Sequence, residues 1–263
     1  MHDFLNLKDK VAIVWGGGSG MGESVVNQLV KAGAHVGVVD IDGILSERVA
    51  ARVNAEGGKA VAAQADVREE AEVEAAVAKV SGSLGPITRS ASVVGIALFK
   101  PMLEMSLDEW KMDLGRNLQP AFVIGKAVGA HMIKHGQGGA IGYIASISGI
   151  QSAANHVAYG AAKAGLINLV KSMALEFVDH RIRVNAVAPG AVHTARIRAM
   201  AGEDPRSGQV PLGRRGMVDE MALPMTFLLS DMASYITGQT IVSDGGWLIA
   251  YGPGSNYPRP IPD

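Results

Sequence analysis

The sequence predicts an α/β protein with a Rossmann-type, doubly wound parallel sheet. Short apolar runs alternate with longer segments of helical period, which is the pattern of repeated strand–helix–strand units. A glycine-rich turn follows the first apolar run, and 48% of the 263 residues are hydrophobic, enough for one large core. We therefore expect a single domain over residues 1–263, with about seven strands in the order 3-2-1-4-5-6-7 and helices on both faces.

The first half of the chain is predicted to contain four strands separated by helices. Val11–Trp15 and His35–Asp40 are mostly apolar and are expected to be buried strands. Ser46 is the expected N-cap of a helix over Glu47–Glu56. The tripeptide Thr88-Arg89-Ser90 is more polar than the entrance of a buried strand usually is. The other predicted elements are a helix over Met21–Ala32, a strand over Ala60–Ala65, a helix over Glu69–Ser81 and a strand over Ala91–Val94.

The second half is dominated by two predicted long helices, Leu107–His135 and His156–Asp179, both rich in alanine and glycine. Small residues allow a helix to pack on two sides, so we expect these helices to contact both the sheet and a second subunit. The polar segment of residues 191–215 carries several arginines and is expected to form a lid. The remaining predictions are strands over Ala140–Ala145, Ile182–Val187 and Thr240–Ser243, a helix over Asp219–Ser230 and a Pro-rich tail over residues 252–263.

Composition argues against several classes of function. The chain has 24 Lys+Arg against 25 Asp+Glu, so it lacks the basic field that binding of a phosphate backbone requires. It has 0 cysteines, which excludes disulfides, iron–sulfur clusters and thiolate zinc sites. No apolar run approaches ~18 residues, and the amino terminus lacks the features of a signal peptide. We expect a cytoplasmic protein that binds a small molecule, with no nucleic acid, membrane or metal involved.

The turn Gly16–Gly22, between the first strand and the first helix, suits a ligand that carries phosphate. Glycines let the backbone approach an anion closely, and the helix N-terminus adds N–H donors and a positive dipole. Asp40 ends the second strand, where a carboxylate accepts the ribose hydroxyls of an adenosine and repels a 2′-phosphate. Because Ile41 follows and no Arg or Lys stands beside it, the sequence predicts NAD rather than NADP. The contacts expected from this region are Gly16, Gly18, Ser19, Gly20, Met21, Asp40 and Ile41.

Tyr159 and Lys163 stand four residues apart on a predicted helix, so both side chains lie on one face. A tyrosine exchanges a proton near neutral pH when its pKa falls well below its usual value of ~10. An ammonium group ~4 Å away, at an effective dielectric constant of ~20, favours the phenolate by about 4 kcal/mol. Ser146 follows the predicted strand Ala140–Ala145 and would hold a substrate oxygen. Exposed helix pairs share the Tyr-Lys spacing, so these residues alone leave the chemistry open.

The motifs together resemble the short-chain dehydrogenase/reductase family over nearly the whole chain. The glycine turn matches the family's Thr-Gly-x-x-x-Gly-x-Gly motif after its first residue, and Asn185–Thr194 is similar to its Pro-Gly segment. The resemblance implies reversible hydride transfer between NAD(H) and a secondary alcohol or ketone. It also implies a catalytic set of Asn117, Ser146, Tyr159 and Lys163, with Tyr159 as the general acid/base.

Further ligand contacts and an assembly also follow from the resemblance. In the family, the lysine also binds the nicotinamide ribose, the asparagine anchors a water, and the subunits form a homotetramer or a dimer. Cofactor contacts are implied for Asp66, Val67, Gly95, Tyr159, Lys163, Pro189, Gly190, Val192 and Thr194. Substrate contacts are implied for Ile96, Gln151, His156 and His193.

Two departures from the family pattern occur together. Trp15 stands where the family has a threonine, and Ser92-Val93-Val94 replaces its Asn-Asn-Ala. Losing two polar partners together strands no buried donor or acceptor. We hypothesise that Trp15 packs against Val93 and Val94 as an apolar replacement. Two alternative functions are an NADPH-dependent 3-oxoacyl-thioester reductase and a nucleotide-binding protein without catalytic activity.

Overall fold

The computed structural model of the chain describes residues 4–202, 204, 207 and 210–250. Over these residues it shows one sheet of seven parallel strands, in the predicted order 3-2-1-4-5-6-7. All carboxyl ends of the strands therefore lie at one edge of the sheet. The strands are β1 (Val11–Trp15), β2 (His35–Asp40), β3 (Ala60–Gln64), β4 (Ile87–Ser92), β5 (Gly139–Ile144), β6 (Ile182–Pro189) and β7 (Thr240–Ser243).

Helices cover both faces of the sheet, because each central strand sends alternate apolar side chains into two separate buried clusters. In β1, Ile13 and Trp15 join one cluster while Ala12 and Val14 join the other. The described α-helices are α1 (Gly20–Lys31), α2 (Gly43–Ala55), α3 (Glu70–Leu84), α4 (Leu107–Asn117), α5 (Gln119–His135), α6 (Val157–Phe177), α7 (Ala195–Ala201) and α8 (Asp219–Leu229). The first cluster includes side chains of α3, α5 and α6, and the second includes those of α1, α2 and α8.

Helix α2 begins earlier than predicted, at Gly43 rather than Glu47. Its N-cap is Asp42, whose carboxylate accepts from the backbone N–H groups of Ile44 and Leu45 at 2.9 and 3.3 Å. Ser46, the predicted cap, is instead fully buried, and its hydroxyl donates to the Gly43 carbonyl at 2.9 Å. The prediction chose the wrong one of two residues that both cap helices well.

Strand β4 spans Ile87–Ser92, several residues before the predicted Ala91–Val94. The polar residues at its entrance have partners that are distant in the sequence and that no local pattern shows. Arg89 pairs with Asp231 at 3.0 Å, and the Ser90 hydroxyl accepts from the Trp15 indole at 3.1 Å. The strand is therefore compatible with a polar sequence.

The predicted helix Leu107–His135 is two helices, α4 and α5, separated at Leu118. Leu118 has φ −120° and ψ −49°, and Pro120 stands in the first turn of α5. Proline suits a first helical turn and disturbs a helix interior, so its position explains why a new helix begins there. The break places Asn117 at the end of α4.

The Trp15 side chain is fully buried, but the hypothesis about its packing was only partly right. Val94 packs against the same buried cluster as Trp15, whereas Val93 packs against the cluster on the other face of the sheet. Val93 meets Trp15 through the backbone, its N–H donating to the Trp15 carbonyl at 2.9 Å. The indole hydrogen bond to Ser90 shows that the replacement is not purely apolar.

The predicted lid contains one short helix, α7, within the described part of residues 191–215. Thr194 caps it, accepting from the Ile197 N–H at 3.3 Å. The tail predicted over residues 252–263 lies outside the described residues. Among the helices of the described residues, none has both the length and the apolar character needed to cross a bilayer.

Candidate active site

The glycine turn brings the start of α1 against the carboxyl end of β1. The N–H groups of Gly16 and Gly17 donate to the Val39 carbonyl of β2 at 2.8 and 2.9 Å. Gly16 has φ +77°, and a Cβ on Gly22 would stand 1.8 Å from the Gly16 oxygen. Only glycine therefore fits at position 22 of the turn.

Asp40 is held at the rim of this turn by two backbone groups. Its carboxylate accepts from the N–H of Gly18 at 2.9 Å and from that of Asp42 at 3.1 Å. A Cβ on Gly18 would come within 2.8 Å of Asp40 Oδ2, so the turn and the carboxylate are in close contact. Arg48 lies near, but its guanidinium is engaged by the Gly18 carbonyl at 2.9 Å and by Glu23 at 2.8 Å.

A groove of about 580 Å³ runs along the carboxyl edge of the sheet from β2 to β4. Arg68 and Arg116, which sequence reasoning did not include, also line it; Arg68 is ion-paired with Asp66. The Arg68 hydrogen bond lowers the pKa of Asp66. The predicted cofactor contacts in its wall are Gly16, Ser19, Gly20, Met21, Asp40, Ile41, Asp66, Val67 and Gly95.

A second cavity, of about 380 Å³, adjoins the groove at Met21, which lines both. It combines polar groups with an apolar wall that includes Phe99, Trp247 and Leu248. Trp247 and Leu248 were not predicted, because nothing local in the sequence marks them as neighbours of β5. The predicted residues in this wall are Ser146, Gln151, His156, Tyr159, Pro189, Gly190, Val192 and Thr194.

Two of the residues assigned to the substrate lie elsewhere. Ile96 lines the groove rather than the cavity. His193 is 5% exposed, and its backbone N–H donates to the Gly216 carbonyl at 2.7 Å. It stands outside the wall of the cavity formed by the described residues. The structure therefore groups Gln151 and His156, but not Ile96 and His193, with Ser146 and Tyr159.

His156 connects the cavity wall to the tyrosine. Its ring meets the Tyr159 ring edge-on, with centroids 5.9 Å apart, and Phe99 packs on it at 4.7 Å. Its Nδ1 lies 2.8 Å from the Ser148 hydroxyl. Burial lowers the pKa of His156, which favours the neutral ring. The sequence left open whether His156 faces solvent, and the structure places it in the cavity wall.

Tyr159 and Ser146 form the polar end of this cavity. Burial raises the pKa of Tyr159, while the hydrogen bond with Ser146 lowers it; the charge of Asp113 raises it and that of Arg196 lowers it. The Ser146 oxygen accepts from the Ser148 N–H at 3.1 Å, which leaves its hydroxyl proton for another acceptor. In the chain by itself, the pKa of Tyr159 is thus raised, opposite to the predicted direction.

Lys163 lies behind the tyrosine, buried to 2% exposure. Its ammonium is 5.7 Å from the centre of the Tyr159 ring and donates to the Ile144 carbonyl at 2.9 Å. A Cβ on Gly95 would lie 3.0 Å from the Lys163 nitrogen and 2.8 Å from the Asn117 side-chain oxygen. Gly95, Asn117 and Lys163 therefore converge at the inner end of the groove.

Asp113, one helical turn before Asn117, is a buried acid that sequence reasoning missed. Its Oδ1 accepts from Arg116 at 2.8 Å and from the Asn117 amide at 3.1 Å. Burial lowers the pKa of Lys163 to about 8, and the negative charge of Asp113 opposes this shift. The i, i+4 spacing of Asp113 and Asn117 on one helix face was the available signal.

Comparisons with known proteins identify the family. A family model described as enoyl-(acyl carrier protein) reductase matches residues 16–248. The 2,5-dichloro-2,5-cyclohexadiene-1,4-diol dehydrogenase of Sphingobium indicum is 36% identical over 250 residues, 92% of this chain and 98% of its own. The NAD-dependent glycerol dehydrogenase of Listeria innocua is 32% identical, over 93% and 96% of the two chains.

Solved structures agree with the sequence relatives. The crystal structure of a short-chain type dehydrogenase/reductase from Mycobacterium marinum superposes with a TM-score of 0.88 at 32% identity. The match covers 94% of this chain and 99% of that one. The glycine turn, the order of the strands and the matched sequences all agree: the chain belongs to the short-chain dehydrogenase/reductase family and is an oxidoreductase.

Proposed function

We propose that the chain catalyses NAD-dependent oxidation of a secondary hydroxyl group, or the reverse reduction of a ketone. The observation that carries this proposal is that two spaces lie side by side at the carboxyl edge. Met21 lines both, so the groove that holds Asp40 adjoins the cavity that holds Ser146 and Tyr159. A dinucleotide in the groove would have its reactive end beside these two hydroxyls.

The residues of the groove fit NAD. Gly16 has a positive φ and Gly22 has no room for a Cβ, so the turn requires glycine at position 22 and favours it at position 16. The start of α1 supplies N–H donors for the pyrophosphate. The Asp40 carboxylate suits two ribose hydroxyls and repels a 2′-phosphate. The nearby Arg48 and Arg68 pair with Glu23 and Asp66, so their charges are already matched. At the other end, Pro189, Gly190, Val192 and Thr194 would hold the nicotinamide amide.

Tyr159 is the proposed acid/base, and Ser146 holds the substrate oxygen. In oxidation, the Tyr159 phenolate accepts the hydroxyl proton while the Ser146 hydroxyl donates to the same oxygen. Bound NAD would supply the acceptor for the hydride that leaves the carbon. Lys163 and Asn117 lie behind the tyrosine, where Lys163 favours the phenolate and binds ribose. Gly95 leaves room for both side chains.

A small cyclic or polyhydroxylated molecule is the proposed substrate. The cavity of about 380 Å³ has an apolar wall and, besides Ser146 and Tyr159, the polar pair Ser148–His156 and the amide of Gln151. Such a mixture suits a ring or short chain that carries more than one hydroxyl. The relatives named for a cyclohexadiene diol, D-threitol and glycerol support this class.

The test is a set of initial rates on secondary alcohols, diols and polyols with each cofactor. We expect turnover with NAD at least about tenfold faster than with NADP, equivalent to about 1.4 kcal/mol. Turnover of 3-oxoacyl thioesters with NADPH alone would instead establish the thioester reductase. The absence of both turnover and an NAD-induced rise in Tm would establish the inactive nucleotide-binding protein.

Replacing Asp40 by Ser together with Ile41 by Arg should reverse the cofactor preference. The double variant removes the carboxylate that repels a 2′-phosphate and supplies a guanidinium for it. Ile41 is exposed in the groove wall, so the new side chain has room. The ratio of kcat/KM for NAD to that for NADP measures the effect. An unchanged ratio would show that Asp40 does not face the adenosine ribose.

The Asp113→Asn variant should move the pH dependence of alcohol oxidation to lower pH. Removing the negative charge removes one of the causes that raise the pKa of Tyr159, so the phenolate forms at lower pH. The amide oxygen still accepts from Asn117. The matched control is Asp108→Asn, an exposed acid on the same helix, which should leave the pH profile of kcat/KM unchanged. Equal midpoints for Asp113→Asn and the parent would contradict the electrostatic role.

We further infer a cytoplasmic homotetramer in which each chain works as one domain with a lid at about 191–215. The two long helical segments present exposed apolar side chains, among them Phe122 on α5 and Leu175 on α6. Large exposed apolar groups favour contact with another subunit. Light scattering coupled to gel filtration gives the subunit number directly.

A further inference from the structure

A further cleft, of about 680 Å³, lies at the opposite edge of the sheet from the groove and the cavity of the candidate active site. It opens where β1, β4, β5 and β6 begin. Its wall includes Lys10, Thr88, Arg89, Arg181, Arg183 and Asp231. Since the strands are parallel, the full length of the sheet separates this cleft from Tyr159, and the proposed reaction does not use it.

The wall of this amino-edge cleft is strongly cationic, although the chain as a whole carries a net charge of −1. Among the described residues of this wall, the cations of Lys10, Arg89, Arg181 and Arg183 face a single carboxylate, that of Asp231. Arg181 donates to the Gly136 carbonyl at 3.0 Å, and Arg183 donates to those of Leu228 and Ser230, each at 2.8 Å. Carbonyl oxygens accept these hydrogen bonds without neutralising the charge.

Two of the arginines are on the same face of the sheet. Arg89 of β4 and Arg183 of β6 both register with Ala140 of β5, which lies between them. Two strand spacings separate their backbones by about 10 Å. Burial lowers the pKa of both arginines, and the charge of Arg89 lowers that of Arg183 further. An anion between them would relieve this repulsion.

The cleft wall also contains buried donors for which the described residues provide no acceptor. Arg89 is 7% exposed and Thr88 is 6% exposed. Two of the guanidinium nitrogens of Arg89 are bonded, to Asp231 at 3.0 Å and to the Thr88 carbonyl at 2.9 Å. Its Nε and the Thr88 hydroxyl are buried and have no hydrogen-bond partner among the residues that the structure describes. Buried polar groups are normally paired, so these two donors at a cationic cleft indicate a ligand rich in acceptors.

We propose that the amino-edge cleft binds a compact anion with more than one negative charge, of the phosphate or polycarboxylate class. Such a group offers the acceptors that Arg89 Nε and Thr88 Oγ1 lack, and balances the cationic wall. Because Asp231 follows α8 and Arg183 binds the carbonyls at the end of α8, the bound anion would stabilise the packing of that helix on the sheet.

The experiment measures Tm and binding heat with inorganic phosphate, pyrophosphate and citrate, against sodium chloride at equal ionic strength. Every measurement is repeated at saturating NAD, which fills the phosphate sites of the groove. We expect at least one anion to raise Tm by about 3 °C or more in both series. Comparing phosphates with citrate identifies the anion class. No rise beyond sodium chloride, or a rise that NAD abolishes, would overturn the proposal.

Two variants locate the site. Arg181 has φ +57°, which asparagine tolerates, so Arg181→Asn removes a charge with little backbone strain. This variant should weaken binding of the anion by about tenfold. Thr88→Val removes an unpaired buried hydroxyl at constant shape, and should raise Tm without the anion while reducing the anion-induced rise. The matched control, Lys126→Gln, removes a surface charge on α5 outside the cleft. If Arg181→Asn and Lys126→Gln weakened anion binding equally, the effect would be general charge attraction, and the assignment of the site to the cleft would be wrong.

Discussion

Replacing Tyr159 with phenylalanine should reduce kcat for alcohol oxidation by about 10²–10⁴-fold, the usual contribution of a general acid/base. The substitution removes one oxygen and keeps the ring, so the edge contact with His156 and the position under Lys163 are preserved. NAD binding, measured by calorimetry, should remain within a few-fold of the parent. A variant that keeps its turnover would show that another group moves the proton.

Tyr143→Phe is the matched control for this loss of a phenol. Tyr143 is 1% exposed on β5 and donates to the Ala121 carbonyl at 3.0 Å. Its removal should cost about 1 kcal/mol of unfolding free energy in a denaturant titration, because one buried hydrogen bond is lost. Turnover should stay near that of the parent. The pair of variants separates the chemistry of a phenol from its effect on stability.

Replacing Gly22 with alanine should destabilise the fold and abolish NAD binding together. The new Cβ would stand 1.8 Å from the Gly16 oxygen, so the start of α1 must move away from the turn. Overpacking of this kind costs about 3 kcal/mol or more when backbone atoms are the obstacle. Urea unfolding gives the loss of stability, and calorimetry gives the loss of NAD binding.

Gly82→Ala is the control for adding the same methyl group to a helix. Gly82 lies in α3, and a Cβ added there would have nothing within 4 Å of it. Alanine at this position should raise the unfolding free energy by about 0.5–1 kcal/mol, since glycine loses more backbone entropy on folding. If Gly22→Ala behaved like Gly82→Ala, the close contact in the glycine turn would not exist.

Local sequence predicted those elements whose boundaries are marked locally. β1, β2 and β7 have the predicted bounds because their apolar runs are short and sharply flanked. β4 was displaced because its polar residues depend on distant partners, such as Asp231 for Arg89 and Trp15 for Ser90. The break at Leu118 was missed because helical periodicity continues through it, although Pro120 marked the position.

The candidate site likewise has features that the sequence predicts and features that depend on the folded arrangement. The glycine turn and the Ser146, Tyr159 and Lys163 set follow from spacing and resemblance, and the structure brings all of them to one edge. The pKa of Tyr159 could not be predicted, because burial and the charges of Asp113 and Arg196 depend on the folded arrangement. Trp247 and Leu248 reach the cavity from the end of the described chain, a distance in sequence that no local pattern covers.

The positions of two tryptophans make the intrinsic fluorescence of this protein informative. Trp15 is fully enclosed and bonded to Ser90, so its emission is shielded from water and reports the integrity of the sheet. Trp247 stands in the wall of the cavity beside Leu248 and senses what enters it. Once Trp110, the third tryptophan of the chain, is replaced by phenylalanine, emission from Trp15 follows unfolding and quenching of Trp247 follows the arrival of a small molecule, without any added dye.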